Sequence, residues 1–195
     1  MKKAKRVFLL LSIVVSSFKV SAQEYYHGFG GAADYVIFKL VYSSPTESVN
    51  YTGGIAVPGV FYKATLGLAD HFGISAYPFL GLSFSANSQT GSSGSFGISL
   101  PIAAELYAGD MDDACFIAGA GFSYTFLASS YSGSGSVVGP MLQVGGQFNL
   151  REKLVGIRLS YTIGLNKSKF DDSSITVTTD KRSMLSIGFY YPLGQ

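Results

Sequence analysis

Residues 154–166 read Leu-Val-Gly-Ile-Arg-Leu-Ser-Tyr-Thr-Ile-Gly-Leu-Asn. Val155, Ile157, Leu159, Tyr161, Ile163 and Leu165 alternate without a break with Gly156, Arg158, Ser160, Thr162, Gly164 and Asn166. Successive side chains of a strand point to opposite faces, so this period of two describes a ribbon with one apolar face and one small, polar or charged face. A soluble sandwich and a membrane barrel share such alternation, so the solvent must be read from other features.

The rhythm recurs on both sides of this segment. Phe116, Ala118, Ala120, Phe122, Tyr124 and Phe126 oppose Gly119, Gly121, Ser123 and Thr125. Phe96, Ile98, Leu100, Ile102, Ala104 and Leu106 oppose Gly97, Ser99, Ala103, Glu105 and Tyr107. Leu142, Val144 and Phe148 oppose Gln143, Gly145, Gln147 and Asn149, and near the C-terminus Leu185, Ile187, Phe189 and Tyr191 oppose Ser186, Gly188 and Tyr190. Less regular strands are expected over about 25–41, 55–69 and 72–86.

Connections alternate in length. Short ones fall at 70–71, 109–113 and 151–153, and long polar ones at 42–52, 87–94, 129–136 and 167–182. Short turns at one end and long loops at the other, joining strands of roughly ten residues, are the pattern of an outer-membrane barrel, with the turns periplasmic. Composition points the same way. Charged residues are 13% of the chain, against roughly 25% in soluble domains, yet beyond Val20 there is no apolar run of the ~20 residues that a membrane helix needs. The expected fold is all-β: a closed antiparallel up-and-down transmembrane barrel of about eight strands. A soluble all-β sandwich is the alternative.

Residues 1–22 have the build of a secretory signal, expected to be cleaved before Gln23, leaving 23–195 as the barrel domain. Lys2, Lys3, Lys5 and Arg6 precede an apolar run from Val7 to Val15, and Val20-Ser21-Ala22 offers a small-residue cleavage site. With Lys19, this segment holds five of the 14 basic residues and none of the 12 acids, so the remainder carries a net charge of −3. A nucleic-acid partner therefore loses its electrostatic basis. Cys115 is the single cysteine, so no internal disulfide can form, and it reads as a small apolar side chain.

Two features run against the pattern. Pro58, Pro78, Pro101 and Pro140 fall inside expected strands, where proline removes a ladder donor, and local bulges are expected at each. Tryptophan is absent, so interfacial girdles must come from other aromatics: Tyr25, Tyr26, Phe72, Phe116, Phe148, Tyr190 and Tyr191 near one end, and Phe84, Phe96, Phe126 and Tyr131 near the other.

These features together resemble the small outer-membrane β-barrel families, such as the transmembrane domain of outer membrane protein A and the barrel-domain proteins of Bacteroidetes. The resemblance covers residues 23–195. It rests on the leader, the strand-loop-turn rhythm and the final strand Met184-Leu-Ser-Ile-Gly-Phe-Tyr-Tyr-Pro-Leu-Gly-Gln195, which is similar to the C-terminal assembly signal of such barrels. That signal usually closes on an aromatic residue, whereas here Pro192 to Gln195 follow Tyr191. The resemblance implies two partners, outer-membrane lipids and the barrel-assembly machinery during insertion; any partner of the external loops stays open.

On this parity Asp34, Lys63, Glu105 and Arg158 face the lumen, where an unpaired charge would cost several kcal/mol. Two ion pairs are expected from their apparent heights, Glu105 with Arg158 and Asp34 with Lys63. They either fill and satisfy the interior or line a narrow gated path, because about eight strands enclose little more than their own side chains. No catalytic or metal-binding residue and no cofactor is expected. His27 and His71 lack an evident serine and acid constellation, Asp110, Asp112 and Asp113 lack the glycine and distal glutamate of an EF-hand, and Gly28-Phe29-Gly30-Gly31 is not followed by the helix of a nucleotide fingerprint. The expected role is structural or surface-interacting, without a large pore. A narrow transporter of a small or hydrophobic solute is the alternative, and a lipid-modifying enzyme a more remote one.

Overall fold

The computed structural model describes residues 24–43, 48–87, 91–129, 133–151, 153–166, 168–171 and 176–194. The expected leader, 1–22, and Tyr131 lie outside them. Ten strands run in chain order: β1 (Glu24–Ser43), β2 (Ser48–Ala69), β3 (Phe72–Ala76), β4 (Phe79–Asn87), β5 (Gly91–Gly109), β6 (Cys115–Ser129), β7 (Gly133–Leu150), β8 (Lys153–Ile163), β9 (Ser168–Asp171) and β10 (Thr176–Gly194). β3 and β4 form one stave interrupted at Tyr77 and Pro78, and β8 and β9 form another, so the ten segments make an eight-stave ring. All neighbours are antiparallel, and β1 pairs with both β2 and β10, which closes the barrel without an edge strand.

The pattern of polarity is inverted relative to a soluble domain. Leu100, Ile102, Leu106, Phe116, Phe122, Leu142, Val144, Leu159, Ile163, Ile187 and Phe189 lie exposed around the outside. Ser75, Ser99, Glu105, Ser123, Thr125, Gln143, Arg158, Ser160, Thr162 and Ser186 are buried within. Apolar side chains turned outward all around a closed wall are stable only against hydrocarbon, and a closed barrel satisfies the backbone there. The medium outside is therefore a membrane.

The prolines do not make the expected bulges at 58, 101 and 140. Pro58 faces Ala33, Pro101 faces Ser123 and Pro140 faces Phe122 in unbroken register, whereas register shifts occur at His27/Gly28, Lys39/Leu40 and Gly67/Ala69. The missing donor is accommodated differently, because each proline stands where a ladder to its other neighbour ends. Pro58 lies one residue beyond the last β2–β4 pair, Gly59 with Gly81, and Pro140 one residue beyond the last β7–β8 pair, Met141 with Thr162. Pro78 breaks its stave, and Pro101 lies opposite that break, its carbonyl accepting from the Tyr77 amide at 2.9 Å.

The described residues of the loops expected at 42–52, 87–94, 129–136 and 167–182 are largely strand, so four pairs of staves extend beyond the expected strand ends. Ladder hydrogen bonds continue through polar residues once water borders both faces, where apolar alternation has no cause to persist. The other end carries tight turns. Gly109 has φ of 114°, a conformation that a Cβ would strain, and the Asp110 amide closes the turn on Ala114 at 3.0 Å. The turn end faces the periplasm by the orientation of such barrels. Tyr25, Phe116, Phe148 and Tyr191 stand exposed there, as a girdle requires, but Tyr190 is buried in the lumen. Adjacent strand residues cannot share a face, so Tyr191 outside requires Tyr190 inside.

Candidate functional site

Alternation places Asp34, Lys63, Glu105 and Arg158 inside, and all four are buried there. Their partners differ from the expected pairs. The ion pair among them is Lys63 with Glu105, Nζ to Oε2 at 3.9 Å. Asp34 cannot meet Lys63, because across β1–β2 Asp34 faces Val57 while Lys63 faces Gly28; six residues along a strand amount to about 20 Å. Strand tilt and stagger, which residue counts from a turn do not contain, set the true heights.

Glu105 is the hub. Its carboxylate accepts from Ser75 Oγ at 2.5 Å, from Tyr107 Oη at 2.6 Å, and from the Tyr77 hydroxyl and the Gln143 amide. Ser75 and Tyr77 come from the β3 stave, Tyr107 from β5 and Gln143 from β7, so one buried anion ties three staves together. Such charge-assisted bonds are the strong class, and they supply what a buried carboxylate loses in water. Lys63 donates to Tyr190 Oη at 3.2 Å, and Tyr190 donates to Gln147 Oε1 at 3.2 Å. Gln147 in turn reaches the Met111 carbonyl at 2.9 Å and Cys115 Sγ at 3.7 Å.

Arg158 does not pair with Glu105. Its guanidinium lies over the Tyr77 ring at 4.2 Å and the Phe61 ring at 5.6 Å, and Nη2 donates to Ser186 Oγ at 3.2 Å. Asp34 accepts from Ser99 Oγ at 3.2 Å. Nε and Nη1 of Arg158, with the hydroxyls of Ser123, Ser160 and Thr162, have no hydrogen-bond partner.

Apolar side chains also enter the lumen, alongside the buried hydroxyls of Ser123, Thr125, Ser160 and Thr162. Val57, Phe61, Tyr77, Phe79 and Tyr190 form one cluster, and Val36, Val137 and Met184 another, with Leu127 against both. Glycine makes the room. A Cβ on Gly156 would run into the Tyr190 ring, and one on Gly81 would meet Phe79 and Val57. On the periplasmic side lies a cavity of 260 Å³ beneath Lys63, Gln147 and Tyr190, lined also by Tyr26, His27, Met111, Asp112, Leu154 and Pro192.

Tyr77, Ser75 and Tyr190 were not singled out by the sequence as site residues. Parity could have found Tyr77, since Ser75 counted forward by two puts it inside, but Pro78 obscured the strand. His27 stacks on Tyr25 at 5.7 Å and lies beside Tyr62, while its Nδ1 has no hydrogen-bond partner; His71 is exposed in the β2–β3 turn. The Asp112 amide donates to Asp110 Oδ1 at 2.9 Å, which is turn chemistry. Among the described residues no group of three His, Cys, Asp or Glu side chains is placed to hold a metal.

No family model and no curated protein matches the chain. Solved structures do. Outer membrane protein OprG from Pseudomonas aeruginosa superposes with a TM-score of 0.58 at 14% identity, over 89% of this chain and 97% of that one. The fold is that of a small outer-membrane barrel. Neisserial surface protein A, NspA, is similar at a TM-score of 0.45 and 16% identity, over 84% of this chain and 96% of that one. Ail, the attachment invasion locus protein of Yersinia pestis, gives 0.34 and 15%, over 85% and 99%. The likeness to OprG concerns the fold; the apolar outer wall, read from this chain's own residues, puts the barrel in the cell outer membrane.

Proposed function

We propose that this chain is an outer-membrane barrel with a structural or surface-interaction role and no large pore. The observation that carries this reading is the filled lumen. The Glu105 network crosses it at one level, and the Val57–Phe61–Phe79 and Val36–Val137–Met184 clusters occupy it above. The four extended pairs of staves supply the surface that remains for recognition, and such segments carry function more often than walls do.

In this reading residues 1–22 are a cleaved export signal, 23–195 form the barrel domain, and the relatives are the outer membrane protein A-like and Bacteroidetes barrels. The partners are outer-membrane lipids and, during insertion, the barrel-assembly machinery. No reaction is assigned, in keeping with a His27 stacked on tyrosine and a His71 in an open turn.

A second reading, passage of a small hydrophobic solute, is favoured by one observation. The β2–β4 ladder stops at Gly59–Gly81, while β1–β2 continues to Ser43–Ser48 and β4–β5 to Asn87–Gly91. The wall is therefore unladdered near its outer rim. Reconstitution separates the readings. The proposed role expects planar bilayers without reproducible conductance steps and vesicles that admit an apolar dye no faster than protein-free controls; stable ion channels or accelerated dye entry would overturn it.

A further inference from the structure

The periplasmic cavity has a roof whose chemistry is unusual for a space-filling interior. Lys63 is buried, and of its three N–H donors one goes to Tyr190 Oη at 3.2 Å. Glu105 Oε2, at 3.9 Å, is beyond hydrogen-bond range and already accepts from Ser75 and Tyr107. The ammonium thus keeps donor capacity at the top of a 260 Å³ space that it lines. Gln147 and Tyr190 flank it, and Met111, Leu154 and Pro192 provide apolar wall below. Among the described residues that line this cavity Asp112 is the acidic one, and it is exposed to solvent, where its repulsion of an anion is screened.

A buried cation with spare donors above an apolar sleeve fits a ligand with an anionic head and a short apolar body. We propose that this cavity binds a small monocarboxylate, its carboxylate on Lys63 and its body against Met111 and Leu154. A compact carboxylate exchanges two charge-assisted bonds for water inside a low-dielectric site, whereas a neutral analogue recovers only ordinary hydrogen bonds and an ammonium analogue meets like charge. This site goes beyond the surface role proposed above, and its failure would leave that role untouched.

The test is titration calorimetry of the folded barrel in detergent micelles with benzoate, benzamide and benzylammonium, three probes of similar size and different charge. Benzoate is expected to bind at least tenfold more tightly than either analogue. Lys63→Met should abolish this preference. Because that change also strips Glu105 of its cation, Leu154→Trp provides a second variant that narrows the cavity and leaves the ion pair in place, and it should weaken benzoate at least tenfold. Equal binding of all three probes, no benzoate binding to the native barrel, or full benzoate affinity in a folded Leu154→Trp protein would each overturn the proposal.

Discussion

The ammonium of Lys63 and the carboxylate of Glu105 lie 3.9 Å apart in the lumen, but the carboxylate is satisfied chiefly by Tyr77, Tyr107, Ser75 and Gln143. The pair is thus asymmetric. Glu105 organises several staves, while Lys63 balances its charge and faces the periplasmic cavity.

The asymmetry predicts unequal costs of removal. Glu105→Ala leaves four donors without their acceptor and a buried ammonium without its counter-charge, a loss of about 3–5 kcal/mol. Glu105→Gln keeps an acceptor oxygen and should lose less. Urea unfolding in lipid vesicles, followed by heat-modifiable migration on gels, reads the difference; equal stability of Glu105→Ala and the native barrel would contradict the hub role.

Gly156 and Tyr190 should behave as a coupled pair. A side chain at 156 meets the Tyr190 ring, so Gly156→Val is expected to destabilise the barrel by about 1–3 kcal/mol through overpacking. Tyr190→Ala opens that space, and the double variant should be more stable than the sum of the two losses predicts. A double-mutant cycle on unfolding free energies checks this, with strict additivity as the contrary result.

Leu159 and Ser160 are adjacent on β8 and face opposite media. Leu159→Arg puts a charge against lipid near the middle of the stave and should cost about 2–4 kcal/mol. Ser160→Ala removes a buried hydroxyl that has no hydrogen-bond partner, so it should be neutral or slightly stabilising. Vesicle unfolding measured on both variants tests the inside-out assignment directly; a tolerated arginine beside a damaging alanine would reverse it.

Much of the wall was legible from the chain itself. The alternation through residues 154–166 put Arg158, Ser160 and Thr162 inside and Leu159, Tyr161 and Ile163 outside, and the structure places them so. Legibility failed at Pro78, where a broken stave hides Tyr77 from a parity count. It failed again over 42–52, 87–94, 129–136 and 167–182, whose sequence loses the apolar period while the described residues keep the ladder.

The amino-acid order alone determined which side of the wall each regular residue occupies, because a strand's two-residue period is local and needs no knowledge of its neighbours. It also pointed to about eight staves and a membrane outside them, with a soluble sandwich as the alternative that the closed ring and its apolar outer face exclude. Only the tertiary structure decided which interior residues meet. Contact across a lumen depends on the tilt and stagger accumulated around the closed ring, and these brought Lys63 to Glu105 and laid Arg158 over the Tyr77 ring.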